Sequence, residues 1–72
     1  MILNERLKAL RQEKGMSQEQ VARELSVTLG AYSRLEKEGS MPNYANFVRL
    51  ADFFGVSMDY LAGRTDKREV NR

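Results

Sequence analysis

The chain has 72 residues, 42% of them hydrophobic and 31% charged, with a net charge of +2 and a pI near 9.2. That length allows one domain and one core, and chains this short bury only about 60% of the surface they expose when unfolded. With no cysteine and no histidine, disulfides, thiol chemistry, the commonest metal ligands and the commonest general base are all missing; no cofactor, metal or catalytic site is expected.

The first segment, MILNERLKAL, reads as an amphipathic helix over about 3–14, with Leu3, Leu7 and Leu10 on one stripe. It lacks the unbroken apolar stretch of a secretory leader, and no run in the chain approaches the roughly 18 apolar residues of a membrane span. A cytoplasmic protein with no membrane contact is therefore expected. Gly15 stops this helix, and Ser17 with Gln20 forms a capping box for a second one starting at Gln18, with Met16 stapled to Val21. Val21, Ala22 and Leu25 form its inner face.

Only Ser26 and Val27 separate this helix from a third, predicted over about 29–37, which Thr28 caps and which turns Tyr32 and Leu35 inward. Two short helices joined so tightly cannot lie side by side and must cross steeply. The stretch Glu38-Gly39-Ser40-Met41-Pro42 reads as a loop. Asn43 then caps a fourth helix with Phe47, Leu50, Ala51 and Phe54 on one stripe, ended by Gly55; Tyr44, Phe47 and Phe54 are expected in the core. Ser57 caps a short fifth helix, with Val56 stapled to Leu61, and Gly63 closes it. Residues 64–72, RTDKREVNR, are expected to form a charged, mobile tail after a domain of residues 1–63.

Charge alone makes no case for nucleic acid. Residues 17–38 carry three basic and four acidic side chains, a net charge near −1, so any such case rests on motif.

The motif lies in residues 18–37. Val21, Leu25, Val27, Tyr32 and Leu35 occupy apolar positions of a two-helix unit, and the small Ala22 sits where the second helix crosses the first. Together with Leu7-Lys8-Ala9-Leu10-Arg11, Lys14-Gly15-Met16-Ser17-Gln18, Pro42 and the run from Val56 to Asp66, this resembles the phage repressor and Cro-type (XRE) family of helix-turn-helix regulators, over about residues 4–66. The resemblance implies an all-α, five-helix, lambda-repressor-like fold and sequence-specific binding of double-stranded DNA, most simply as a repressor. Two positions depart from the family pattern. Ser26 stands where glycine is usual, and a positive φ there would cost a non-glycine residue about 1–2 kcal/mol. In the loop after the third helix, Gly39 falls one place late and residues 39–41 carry no base, which leaves the family's loop phosphate contacts without matching residues.

In that family the third helix enters the major groove. With Tyr32 and Leu35 inward, the outer arc holds Gly30, Ser33, Arg34 and Lys37, with Leu29 on its flank. By spacing alone Arg34 and Lys37 read as solvated charges. The resemblance makes Arg34 the candidate for a bidentate guanine contact, since its fork matches O6 and N7, and leaves Lys37 between surface charge and phosphate contact. Ser33 suits a base or a phosphate, and Leu29 a thymine methyl. Gly30 reads as a close approach to DNA or as drift on a tolerant surface. The resemblance also gives Gln18 a phosphate, adds one to the capping role of Thr28, and pairs Arg11 with Glu36.

Phe53 points about 100° away from the Phe47–Phe54 stripe, and with Met58 on the fifth helix it is a candidate for a small two-fold interface. The expected partners are therefore a palindromic operator and a second copy in a weak homodimer. The rival reading, drawn from the acidic Glu36-Lys37-Glu38 stretch, is a protein-interaction module on the same fold, antitoxin-like or sequestering another protein.

Overall fold

The computed structural model describes residues 2–69 and consists of five helices, with no strand among those residues. Helix α1 spans Ile2–Glu13, α2 Gln18–Glu24, α3 Leu29–Leu35, α4 Tyr44–Phe54 and α5 Met58–Ala62. The expected all-α, five-helix architecture is present, with α2 and α3 as the crossing pair.

Most boundaries are made by side chains within three residues of the helix they start. The Ser17 hydroxyl accepts from the Gln20 N–H at 3.1 Å, and the Gln20 side chain accepts in return from the Ser17 N–H at 2.7 Å. Thr28, Asn43 and Ser57 accept in the same way from the N–H groups of Ala31, Asn46 and Tyr60, at 3.1, 2.8 and 2.9 Å. Each such cap satisfies a donor the helix cannot satisfy itself and is worth about 1 kcal/mol. Gly55 and Gly63 end α4 and α5 in the left-handed conformation. At Gly63 there is a second constraint: a Cβ would stand 3.0 Å from the Ile2 side chain, where α1 meets the end of α5.

The stripes converge as expected. Leu3, Leu7 and Leu10 of α1 pack with Val21, Ala22, Leu25, Tyr32, Leu50, Ala51, Phe54, Val56, Tyr60 and Leu61 in one core, with Phe47, Val27 and Leu35 half-buried against it. Tyr44 is a correction. Expected in the core, it is 76% exposed: it opens α4 one turn ahead of the half-buried Phe47, and the stripe is fully covered only from Leu50 onward.

Helix α3 is also two residues shorter than expected: the Glu36 and Lys37 N–H groups return three residues back, to the Ser33 and Arg34 carbonyls at 3.2 and 3.1 Å, and α1 holds the chain beyond them. Asn4 is buried, at 1% exposure. Its amide nitrogen donates to the carbonyls of Leu35 (2.7 Å) and Ser40 (2.9 Å), and its amide oxygen accepts from the Gly39 N–H (3.1 Å). Leu35 carbonyl and Gly39 N–H are the pair that would bond to each other if the helix ran on. The Asn4 amide takes both, so α3 does not resume beyond its tightened last turn and the loop is held against α1.

The part of the expected tail that the structure describes lies against the body. The Ser57 N–H donates to the Arg68 carbonyl at 2.8 Å. Arg68 makes two 2.7 Å bonds to Glu13 and a 3.2 Å bond to the Tyr60 hydroxyl. Arg6 donates to the carbonyls of Tyr60 and Thr65 and to Asp66, with its guanidinium 4.0 Å from the centre of the Tyr60 ring. Residues 70–72 of that tail lie outside the described residues.

Candidate nucleic-acid interface

The α2–turn–α3 unit turns on Ser26, whose φ is +57°. The Val27 N–H returns to the Ala22 carbonyl at 3.0 Å and the Ser26 N–H to Arg23 at 3.1 Å, so the chain reverses within two residues. A serine in this conformation carries the backbone cost anticipated from the sequence, about 1–2 kcal/mol. A cation from another helix closes the same corner: Arg49 of α4 donates to the Leu25 carbonyl, and at 3.4 Å to the Asn46 side chain. The C-terminal end of α2 thus receives a positive charge, which complements its dipole.

At the other end of the unit, Arg11 and Glu36 form the pair that the resemblance implies. The Arg11 Nε stands 2.7 Å from Glu36 Oε2 and its NH2 group 3.1 Å from Oε1. The two side chains are only 13% and 5% exposed. Arg11 also donates to the Met16 carbonyl (3.0 Å), and Gln18 donates to Glu36 Oε1 (3.1 Å). Helices α1, α2 and α3 are locked together at this point. Burial pushes the Glu36 carboxyl up, but the hydrogen bonds it accepts and the Arg11 charge outweigh that, so its pKa lies below the ordinary carboxylate value. The Arg11 pKa is raised, first by its hydrogen bond to Glu36. The Tyr32 hydroxyl is buried beside this pair without a well-formed hydrogen bond; burial, then the neighbouring Glu36, pushes its pKa up.

The candidate contact residues fall into three groups. Leu29, Gly30, Ser33 and Arg34 lie on α3: Leu29 is 49% exposed, Gly30 and Arg34 are exposed, and Ser33 is half-buried. The Arg34 side chain makes no hydrogen bond or ion pair among the described residues, so its guanidinium is uncommitted. A Cβ on Gly30 would meet nothing within 4 Å, so packing within the chain does not require glycine there. Thr28 and Gln18 form the second group, at the starts of α3 and α2; the Thr28 hydroxyl is engaged as a cap and the Gln18 amide by Glu36. Lys37 stands apart, exposed in the turn that follows α3.

Phe53 and Met58 sit elsewhere. Both are half-buried against the core. Phe53 packs edge-on to Phe54, ring centres 5.0 Å apart, with the Lys14 ammonium 5.3 Å from its own centre. Met58 lines a separate depression with Val48 and Asp52. Among the described residues, the large hydrophobic side chains that are most exposed are Ile2, Leu29, Met41 and Tyr44.

Residues 7–61 match the family described as "Helix-turn-helix". The chain belongs to that family. The matched region of this helix-turn-helix domain contains the Arg11–Glu36 lock and all the contact candidates, and leaves Asn4, Arg6 and Arg68 outside it. The domain is 34% identical over 71 residues to the cryptic phage CTXphi transcriptional repressor RstR of Vibrio cholerae, covering 96% of this chain and 63% of that protein. It is 31% identical over 71 residues to the HTH-type transcriptional regulator ImmR of Bacillus subtilis, covering 99% and 56%. The transcriptional activator BcrR of Enterococcus faecalis is 38% identical over 61 residues, covering 85% of this chain and 30% of BcrR. The chain thus spans less than two thirds of the length of these relatives. No solved structure matches it.

Asn4, Arg49, Arg6 and Arg68 are the structural residues that the sequence did not single out. Asn4 alone left a signal, a polar side chain between Leu3 and Leu7 on the stripe that α1 buries.

Proposed function

We propose that this helix-turn-helix domain binds double-stranded DNA sequence-specifically, with α3 in the major groove, and regulates transcription in the cytoplasm as a repressor. The observation that carries the reading is the contrast on α3. Its inner side is locked by Glu36 to Arg11 and Gln18, while its outer side presents Leu29, Gly30 and an Arg34 with no partner among the described residues. A fork held free on a rigid helix suits bidentate base readout. The kinship with regulators that include a phage repressor supports the same reading, and the proposal assigns no catalysis to the chain.

In this reading Arg34 takes a guanine edge, Leu29 a thymine methyl, Ser33 a base or phosphate, and Gly30 admits the DNA closely. Gln18, Thr28 and Lys37 hold phosphates. Two copies pair about a two-fold axis, with Phe53 and Met58 as candidate contacts, so that the two α3 helices lie about 34–36 Å apart on a palindromic site. The rival, a protein-interaction module, drew on the acidic stretch 36–38, and Glu36 is turned inward to Arg11 and spent there.

A gel-shift against genomic fragments, with and without excess nonspecific competitor and at increasing salt, tests the proposal. Retention of one fragment under competitor is expected, with a log–log salt slope of about −2 to −4 per monomer. Equal loss of all fragments, or affinity indifferent to salt, would rule it out.

A further inference from the structure

Between α3 and the first turns of α4 lies a cleft of about 220 Å³. Its walls are apolar, built by Leu25, Val27, Leu35 and Leu50, with Met41 contributed by the loop. Its polar lining is equally one-sided: Arg34, Arg49, Asn43 and Asn46 line it, and no carboxylate does. Arg49 uses two of its donor groups, on the Leu25 carbonyl and the Asn46 side chain, and the remainder are unspent. Arg34 has spent none among the described residues.

Two arginines among the lining of an apolar cavity call for an occupant of two parts. The charged part is an anion, and a planar carboxylate suits the fork of an arginine in two-point contact. The walls call for hydrocarbon, which a phosphate or a DNA backbone would leave unused. The volume falls below the ~300–1,000 Å³ of pockets that take drug-sized molecules, which restricts the hydrocarbon to a short chain. We propose that this cleft is a binding site for a small monocarboxylate with an apolar tail, the tail lying against Leu35 and Leu50 and the carboxylate on Arg34 and Arg49. Because Arg34 is the residue assigned to base readout, a bound carboxylate competes with DNA for it and lowers affinity for the operator. That regulatory consequence rests on the reading of Arg34 given above; binding to the free protein does not.

The test is an NMR titration of the ¹⁵N-labelled 72-residue chain with sodium octanoate below its micelle range, with 1-octanol, sodium acetate and inorganic phosphate as separate arms. Expected are saturable shifts centred on Ala31, Leu35, Asn46 and Leu50, with each of the other three probes binding at least tenfold more weakly. Arg34→Gln, at an exposed site without partners, should keep the fold and weaken octanoate severalfold. Octanol matching octanoate would overturn the proposal, because the cations would then be idle. Phosphate matching it would reduce the site to an anion contact, and shifts spread over Ile2 and Tyr44 would mean unspecific adsorption. Shifts of the same residues with protein concentration alone would assign the cleft to a second copy and overturn the proposal as well. A gel-shift with octanoate present completes the test: loss of the DNA complex at the concentrations that saturate the cleft is expected, and an unaffected complex overturns the regulation. A chain that binds octanoate but no DNA sinks the DNA reading alone. A chain that binds DNA but shows no saturable cleft shifts sinks this inference alone.

Discussion

Arg34 and Lys37 are both exposed cations near the outer face of α3, yet they differ in what they can reach. Arg34 stands on the helix with its fork uncommitted, while Lys37 lies beyond the helix end as a point charge. Arg34→Ala is therefore expected to cost about 1–3 kcal/mol on the cognate site and much less on random DNA. Lys37→Ala should weaken both nearly equally, and a binding isotherm on each DNA checks the pair. Arg11 carries a different expectation. Its partner Glu36 is buried to within 5%, so Arg11→Met leaves a carboxylate without its charge partner, a loss of about 3–5 kcal/mol for a buried pair. Thermal melting should show Arg11→Met falling far below Lys8→Met, since Lys8 is exposed. The same pair sets a pH dependence. A carboxyl whose pKa is lower folded than unfolded adds stability that is present above about pH 4.3, its unfolded value, and is lost as pH falls through the folded value. Melting temperature should drop on acidification below that point, and drop less in Arg11→Met. At the alkaline end the sign reverses: Tyr32 has a raised pKa, so the stability it contributes is lost as pH rises above about 10, where the unfolded chain ionises first.

At the scale of the element, the α2–α3 turn holds the clearest conflict between local preference and fold. Ser26 adopts a φ of +57° because the helices on either side demand it, and it is exposed, so a smaller residue leaves no cavity. Ser26→Gly removes about 1–2 kcal/mol of left-handed cost and restores about 0.5–1 kcal/mol of unfolded-chain entropy. A net gain of roughly 0.5–1 kcal/mol, read as a rise of a few degrees in melting temperature, is expected; no change or a fall would mean that the serine side chain compensates its own backbone. Helix α3 shows the opposite case. No sequence signal marks the tightening of its last turn at Glu36 and Lys37, and Asn4 from across the core takes the backbone groups through which it could run on.

At the scale of the whole molecule stand the segment after α5 and the proposed pairing of two copies. Arg6 and Arg68 bind residues 64–68 to α1 and α5. Phe53 is partly covered by Phe54 and Lys14, so the two-fold contact proposed above offers little apolar surface and the proposal implies a weak free dimer. Phe53→Lys is expected to cut binding to a full palindromic site sharply, with half-site binding and the helical circular-dichroism spectrum intact. Undiminished binding to the full site would place the interface elsewhere.

The five helices, their starts and their inner faces were legible in the sequence because those signals are local. A capping box or an apolar stripe acts between residues three or four apart, and chain order records it directly. Ser17, Thr28, Asn43 and Ser57 all cap as their positions promise. What only the tertiary structure decided are the ties between distant residues. Asn4 reaches Leu35 across 31 positions, Arg49 reaches Leu25 across 24, and Arg6 reaches Thr65 across 59. No periodicity marks such partners, because each depends on the angle at which two helices cross and on which buried backbone groups that crossing leaves unsatisfied. The Arg11–Glu36 pair was likewise carried by family resemblance and not by spacing. The exposure of Tyr44 and the cleft beside Arg34 have the same origin: a stripe states which side of a helix is apolar, and only the packed neighbours determine how far along it that side is covered.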